Sequence, residues 1–137
     1  MVHPWQMETS APALRVLIVD SERLLRWALH QVLGGAGWMT FDAGTAQAAI
    51  GIVSAEPSID AVVVDCNLPD CPDLSLLEAL TKLAPDAVIV VMSDLVDVRG
   101  VTARVAPYGV RHVLAKPFDL TALPALIVGA VAERRRP

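Results

Sequence analysis

Residues 61–71 read AVVVDCNLPDC: four apolar residues stop on a carboxylate, Asp65, and a loop follows. A short aliphatic run of this kind suits a strand buried on both faces of a sheet. Burial of Ala61, Val62, Val63 and Val64 anchors Asp65 rigidly, and the loop leaves its oxygens open to a reactant. The same design recurs along the chain. LRVLIV (14–19) ends on Asp20, and DAVIVVMS (86–93) ends on Ser93 with Asp94 next. VRHVLA (110–115) runs into Lys116 and Pro117, and WMTFDA (38–43) is a short alternating strand.

Between these runs the spacing turns helical. SERLLRWALHQVL (21–33) places Leu24, Leu25, Ala28, Leu29 and Val32 on one stripe, and GGAG (34–37) is expected to stop it. A glycine cluster cradles phosphate where a strand leads in and a helix leads out. Here the order is reversed. TAQAAIGIVSAE (45–56) is a small-residue helix ended by Pro57, and DLSLLEALTKLA (73–84) ends before Pro85. DVRGVTARVAPYG (97–109) is a weak helix stopping near Pro107 and Gly109. DLTALPALIVGAVAERR (119–135) is the last, with Pro124 near its first turn. Five alternating β/α units without an internal repeat predict an α/β fold, a parallel sheet with helices on both faces. Chemistry in such folds collects at the carboxyl ends of the strands.

Composition narrows the function classes. The 137 residues suffice for one domain, and with 54% hydrophobic but only 4% aromatic residues its core is aliphatic. A net charge of −4 argues against direct nucleic-acid binding. The basic run Arg134, Arg135 and Arg136 reads as a solvated helix end. Cys66 and Cys71 are too few for a disulfide framework and lack partners for a zinc site, so free thiols are expected. No signal peptide opens the chain, and the longest apolar run (122–132) is too short to span a bilayer. The expectation is a cytoplasmic protein with no membrane contact. Residues 1–13 read as a flexible arm, 14–134 as the domain and 135–137 as a tail.

The strand ends bring Asp20, Ser21 and Glu22, then Asp65 and Asn67, then Ser93 and Asp94, then Lys116 to one edge of the sheet. Carboxylates, a hydroxyl and an ammonium at one cleft suit phosphoryl transfer to a carboxylate. Mg²⁺ takes one or two carboxylates, phosphate and water, and Asp20, Asp65 and the backbone carbonyl of Asn67 are the candidate donors. Lys116 is the candidate partner of one phosphoryl oxygen and Ser93 of another. A strand-end aspartate also serves phosphatases of the haloacid dehalogenase type, but these need an acid two residues later, where Asn67 stands.

LIVDSE, DCNLP, VMS and AKPF, in this order and spacing, resemble the receiver domain of two-component response regulators, over about residues 13–134. The resemblance implies a doubly wound five-stranded parallel sheet of order 2-1-3-4-5, a flavodoxin-like or CheY-like three-layer sandwich. It implies phosphorylation of Asp65 by a histidine kinase or phosphotransfer protein, Mg²⁺ as cofactor, Lys116 as the family lysine with Pro117 in a cis peptide, and Ser93 as the switch hydroxyl. At most such a domain phosphorylates and dephosphorylates itself. Contacts with a kinase are expected near the first helix, close to Leu24 and Trp27.

Four positions depart from that family's pattern. Ser21 replaces an acid expected to touch the metal, which predicts weak Mg²⁺ binding. Glu22 is the candidate substitute, turned roughly 100° further around the helix start. Taken alone, Ser21 reads as a helix N-cap. Asp94 stands where a small residue is usual; it would repel a phosphoryl group or hold Lys116 in a salt bridge. Asp73 replaces a common glycine and reads as an N-cap for the third helix. Val113 replaces an aromatic that swings inward. These departures set a degenerate receiver, a phosphorylation-independent interaction module, beside the phosphoacceptor switch. The last helix is apolar all round, so a homodimer contact through Leu126 and Val128 is expected, and the resemblance implies a dimer face of helix 4, strand 5 and helix 5.

Overall fold

The computed structural model describes residues 13–94 and 98–135. The predicted arm, apart from Ala13, and the tail beyond Arg135 lie outside the described residues, as does Asp97 at the start of the fourth predicted helix. Strands and helices alternate: β1 (Arg15–Val19), α1 (Arg23–Gly35), β2 (Met39–Ala43), α2 (Ala46–Ala55), β3 (Ala61–Asp65), α3 (Ser75–Leu83), β4 (Val88–Asp94), α4 (Val98–Val105), β5 (His112–Lys116) and α5 (Leu123–Arg134). Short 3₁₀ turns, Ala106–Tyr108 and Leu120–Ala122, lead into β5 and α5.

Every strand pair is parallel, and the sheet order is β2-β1-β3-β4-β5. β3 lies at the centre and is buried along its whole length. Alternate residues explain its unbroken hydrophobicity. Val62 and Val64 join Leu17, Val19 and Val91 in a core shared with α2, α3 and α4. Ala61 and Val63 join Val16, Ile18 and Val90 against Leu29 and Leu33 of α1 and Ile127 of α5. Each fully buried valine contributes about 1.5–3 kcal/mol over exposure. β5, at the sheet edge, is only half-buried. No helix among the described residues is long and apolar enough to cross a membrane.

The helix ends correct several expectations. Ser21 does not cap α1. The cap position is Glu22, in extended backbone and without a side-chain cap bond. Leu24 is not part of the core stripe: it is 81% exposed, beside Trp27 at 62%. The helical period turns Leu25, Ala28, Leu29 and Leu33 inward and leaves Leu24 and Trp27 on the outer face. Gly34 and Gly35 stay helical. The stop comes at Gly37, whose φ of 85° lies in the left-handed region that glycine enters freely. Pro124 falls in the first turn of α5, where a missing N–H removes no helix hydrogen bond. α5 buries Leu123, Ile127, Ala130 and Val131. Leu126 also rests against that core, so of the two expected contact residues only Val128, 42% exposed, faces outward.

Candidate phosphoacceptor site

The strand register assembles the site. Val19 stands opposite Ala43 and Val64, Asp65 opposite Met92, and Asp94 opposite Lys116. Asp20, Asp65, Ser93 and Lys116 therefore share the carboxyl edge of the sheet.

Two carboxylates meet one ammonium there. Lys116 Nζ lies 2.6 Å from Asp20 Oδ2 and 3.1 Å from Asp65 Oδ2. The remaining oxygens are held alike. Asp20 Oδ1 accepts the N–H of Glu22 at 2.8 Å, and Asp65 Oδ1 accepts that of Asn67 at 2.9 Å. Each bond reaches two residues onward, the turn that Asp side chains favour after a strand. The Asp20 side chain is fully buried and that of Asp65 is 10% exposed, so Asp65 is the more accessible of the two carboxylates. Burial lowers the pKa of Lys116, but its hydrogen bond to Asp20 and its charge and hydrogen-bond contacts with Asp65 outweigh burial and hold it above the ordinary lysine value. The Lys116–Pro117 peptide is cis.

Ser93 is buried, and its Oγ donates to the carbonyl of Asp94 at 3.2 Å. Asp94 is exposed at the end of β4, and the ion pairs of Lys116 run to Asp20 and Asp65. The salt bridge considered between Asp94 and Lys116 is not formed. The ammonium of Lys116 is taken up by Asp20, directly after β1, and by Asp65, the last residue of β3. Ser21 and Glu22 are both exposed, and Glu22 serves the site through its main-chain N–H. Asp73 is not the N-cap expected for α3: the cap position is Leu74, without a side-chain cap bond, and Asp73 Oδ1 instead accepts the N–H of Ser75, the first helical residue, at 2.9 Å, with no positive φ at Asp73. Val113 is partly buried against the core under α4, and Leu126 and Val128 lie away from the pocket on α5. Both cysteines are free. Burial pushes the Cys66 thiol pKa up, the neighbouring Ser93 hydroxyl works against that, and the Asp65 charge adds to the rise.

Two contributors escaped the sequence reading. Arg26 of α1 donates to the carbonyl of Asp20 at 2.7 Å and to Asp42 Oδ2 at 3.0 Å. Gly44 makes room for it, since a Cβ there would lie 3.2 Å from the guanidinium. Asp70, in the loop after β3, accepts from the N–H groups of Ala46 and Gln47 at 2.9 and 3.1 Å. Gly44 was the one sequence signal for Arg26, and Asp70 had none, because its partners are 24 and 23 residues away.

The donor set fits a hard cation in part. Oxygens of Asp20 and Asp65 already converge on one positive centre, and every donor is oxygen, as Mg²⁺ requires. The described residues hold no group of three or more His, Cys, Asp or Glu able to bind a metal, so water would complete such a sphere.

Comparison with known proteins agrees with the fold. The family model for the response regulator receiver domain matches residues 16–128. The DNA-binding transcriptional regulator NtrC of Rhizobium meliloti is 34% identical, over 89% of this chain and 25% of that protein. The chain thus spans about a quarter of the length of the NtrC relatives it matches. The probable chemotaxis protein CheY of Rhizobium etli is 29% identical over 85% of this chain and 92% of that protein. A response regulator from Thermotoga maritima superimposes with a TM-score of 0.77 at 25% identity, covering 88% of this chain and 99% of that one. With its five-stranded sheet of order 2-1-3-4-5 and this match across its length, the chain belongs to the response regulator receiver domain family.

Proposed function

We propose that the chain accepts a phosphoryl group on Asp65 from the phosphohistidine of a histidine kinase or phosphotransfer protein and uses the new charge to switch partner binding or dimerisation. The observation that carries this reading is the Lys116 ammonium held between Asp20 and Asp65 at the ends of β1, β3 and β5. Transfer to a carboxylate needs a fixed acceptor and positive charge beside the moving phosphoryl oxygens. The Asn67 N–H sets the orientation of Asp65, and Lys116 supplies charge. A carboxylate oxygen of Asp65 forms the new P–O bond while the P–N bond to the histidine breaks. The bond electrons leave with the imidazole, which takes a proton from solvent. Lys116 then follows the phosphoryl oxygens, and Ser93 Oγ turns from the Asp94 carbonyl to one of them. Asp20, Asp65 and the main-chain carbonyl of Asn67 would hold Mg²⁺, with Glu22 the remaining acid beside them, and the cation would add positive charge. Its binding is weak because Ser21 brings no carboxylate. The domain's chemistry is limited to gaining and losing its own phosphoryl group.

Incubation with Mg²⁺ and a small phosphodonor, followed by intact-mass measurement, tests the reading. The expected result is one added phosphate that is absent from Asp65→Asn. No adduct, under conditions that modify an ordinary receiver, would sink it.

One observation favours a second reading, a degenerate receiver that binds partners without phosphorylation. All four oxygens of Asp20 and Asp65 already have partners, namely Lys116 and the N–H groups of Glu22 and Asn67. The resting pocket is satisfied without cation or phosphate. The same mass measurement separates the two readings.

A further inference from the structure

Asp70 joins two elements that the chain does not connect directly. It lies in the loop 66–74 between β3 and α3, yet both its carboxylate oxygens are spent on another helix. Oδ1 accepts the N–H of Ala46 at 2.9 Å and Oδ2 that of Gln47 at 3.1 Å, both in the first turn of α2. α2 already has a local cap, since Thr45 Oγ1 accepts the N–H of Ala48 at 3.1 Å. Asp70 takes two further donors that the helix start leaves free. These bonds hold its carboxyl below the ordinary aspartate range.

The rest of the loop shows what the link restrains. Cys66 N–H donates to the Met92 carbonyl at 3.1 Å, which ties the loop's start to β4. Leu68 is buried, and its carbonyl accepts the N–H of Cys71 at 3.0 Å across a tight turn whose inner residues are Pro69 and Asp70. Asp73 holds the far end to the start of α3. Asn67 lies between these anchors, exposed, with its N–H on Asp65 Oδ1.

We propose that Asp70 is a positioning residue: its two bonds to α2 hold the loop so that Asn67 orients the acceptor carboxylate and presents its main-chain carbonyl to the pocket. This rests on the reading of Asp65 as phosphoacceptor for its functional meaning, but the positional claim stands on the apo protein alone. Three variants separate it from simple helix capping. Asp70→Ala removes both bonds, Asp70→Asn leaves one acceptor oxygen, and Thr45→Ala removes the local cap while leaving Asp70 intact.

Amide hydrogen exchange, read residue by residue by NMR without phosphodonor or metal, is the test. In Asp70→Ala the amides of Ala46, Gln47 and Asn67 should all exchange about five- to tenfold faster, as for loss of one or two net hydrogen bonds. Asp70→Asn should fall between that variant and the parent. Thr45→Ala should speed Ala48 and leave Asn67 unchanged. Faster exchange confined to Ala46 and Gln47, with Asn67 at its parental rate, would overturn the proposal and make Asp70 a helix cap only. Equal acceleration of Asn67 by Thr45→Ala would overturn it too, since loosening α2 alone would suffice. A missing phosphate adduct on the parent protein would count against the phosphoacceptor reading and leave these outcomes as they stand.

Discussion

Lys116 and Asp20 are 96 positions apart in the chain, yet their Nζ and Oδ2 atoms lie 2.6 Å apart with the Asp20 side chain fully buried. Asp65 Oδ2 reaches the same ammonium at 3.1 Å. One lysine thus compensates two carboxylates that would otherwise repel each other at the edge of the sheet.

That asymmetry orders the stability of the pocket variants. Lys116→Met should lose about 3 kcal/mol, because it leaves a buried Asp20 without its counter-charge next to Asp65. Asp65→Asn keeps the Asp20–Lys116 pair and should stay within about 1 kcal/mol of the parent. Urea unfolding of both variants checks the order. Equal losses would show that Asp65 matters as much to the resting pocket as the lysine does.

The same lysine sets a pH dependence at the alkaline end. Its folded pKa is raised above the unfolded value of about 10.4, so its contribution is fully present below that pH. It is lost as pH rises through the folded pKa. The chain has one other lysine, Lys82, in an exposed pair with Glu78. Melting temperatures should therefore fall less steeply above pH 10 in Lys116→Met than in the parent. Parallel slopes would remove the lysine from this account.

Ser21 is exposed immediately after Asp20, where an added carboxylate meets little steric resistance. Ser21→Asp should raise Mg²⁺ affinity by about tenfold through added ligand charge. A Mg²⁺ titration followed by NMR shifts at Asn67 reads it directly. An unchanged midpoint would mean that position 21 does not face the cation.

The α5 surface gives a fourth test, with the two candidate residues now distinguished. Val128→Glu changes an exposed residue and should convert a dimer to a monomer in sedimentation without loss of stability. Leu126→Glu places a charge against the α1/α5 core and should cost about 1–3 kcal/mol, so it reports packing rather than association. A mass unaltered by Val128→Glu would reject α5 as a dimer face.

Much of this was legible in the chain because strands buried on both faces announce themselves. AVVVD needs no partner to be read as a central strand, and its alternation into two cores is already implied by four consecutive apolar residues. The helix faces were less legible. Leu24 matched the apolar stripe by spacing, but burial depends on which arc of α1 meets the sheet, and that arc centres on Leu29 and Leu33. Leu126 was read as surplus for a similar reason: it falls on the one stripe, with Leu123, Ile127, Ala130 and Val131, that α5 turns to the core.

By itself the sequence determined the alternating order of strands and helices, the carboxylates at the ends of β1 and β3, and the lysine at the end of β5. Those follow from local periodicity and from residue types that mark where a buried run must stop. Only the tertiary structure decided the partners. Lys116 chose Asp20 and Asp65 over Asp94, Arg26 reached the Asp20 carbonyl through the space at Gly44, and Asp70 crossed to α2. Each of these contacts depends on how strands stack side by side and how loops return over the sheet edge. Separation along the chain carries no direct record of that distance.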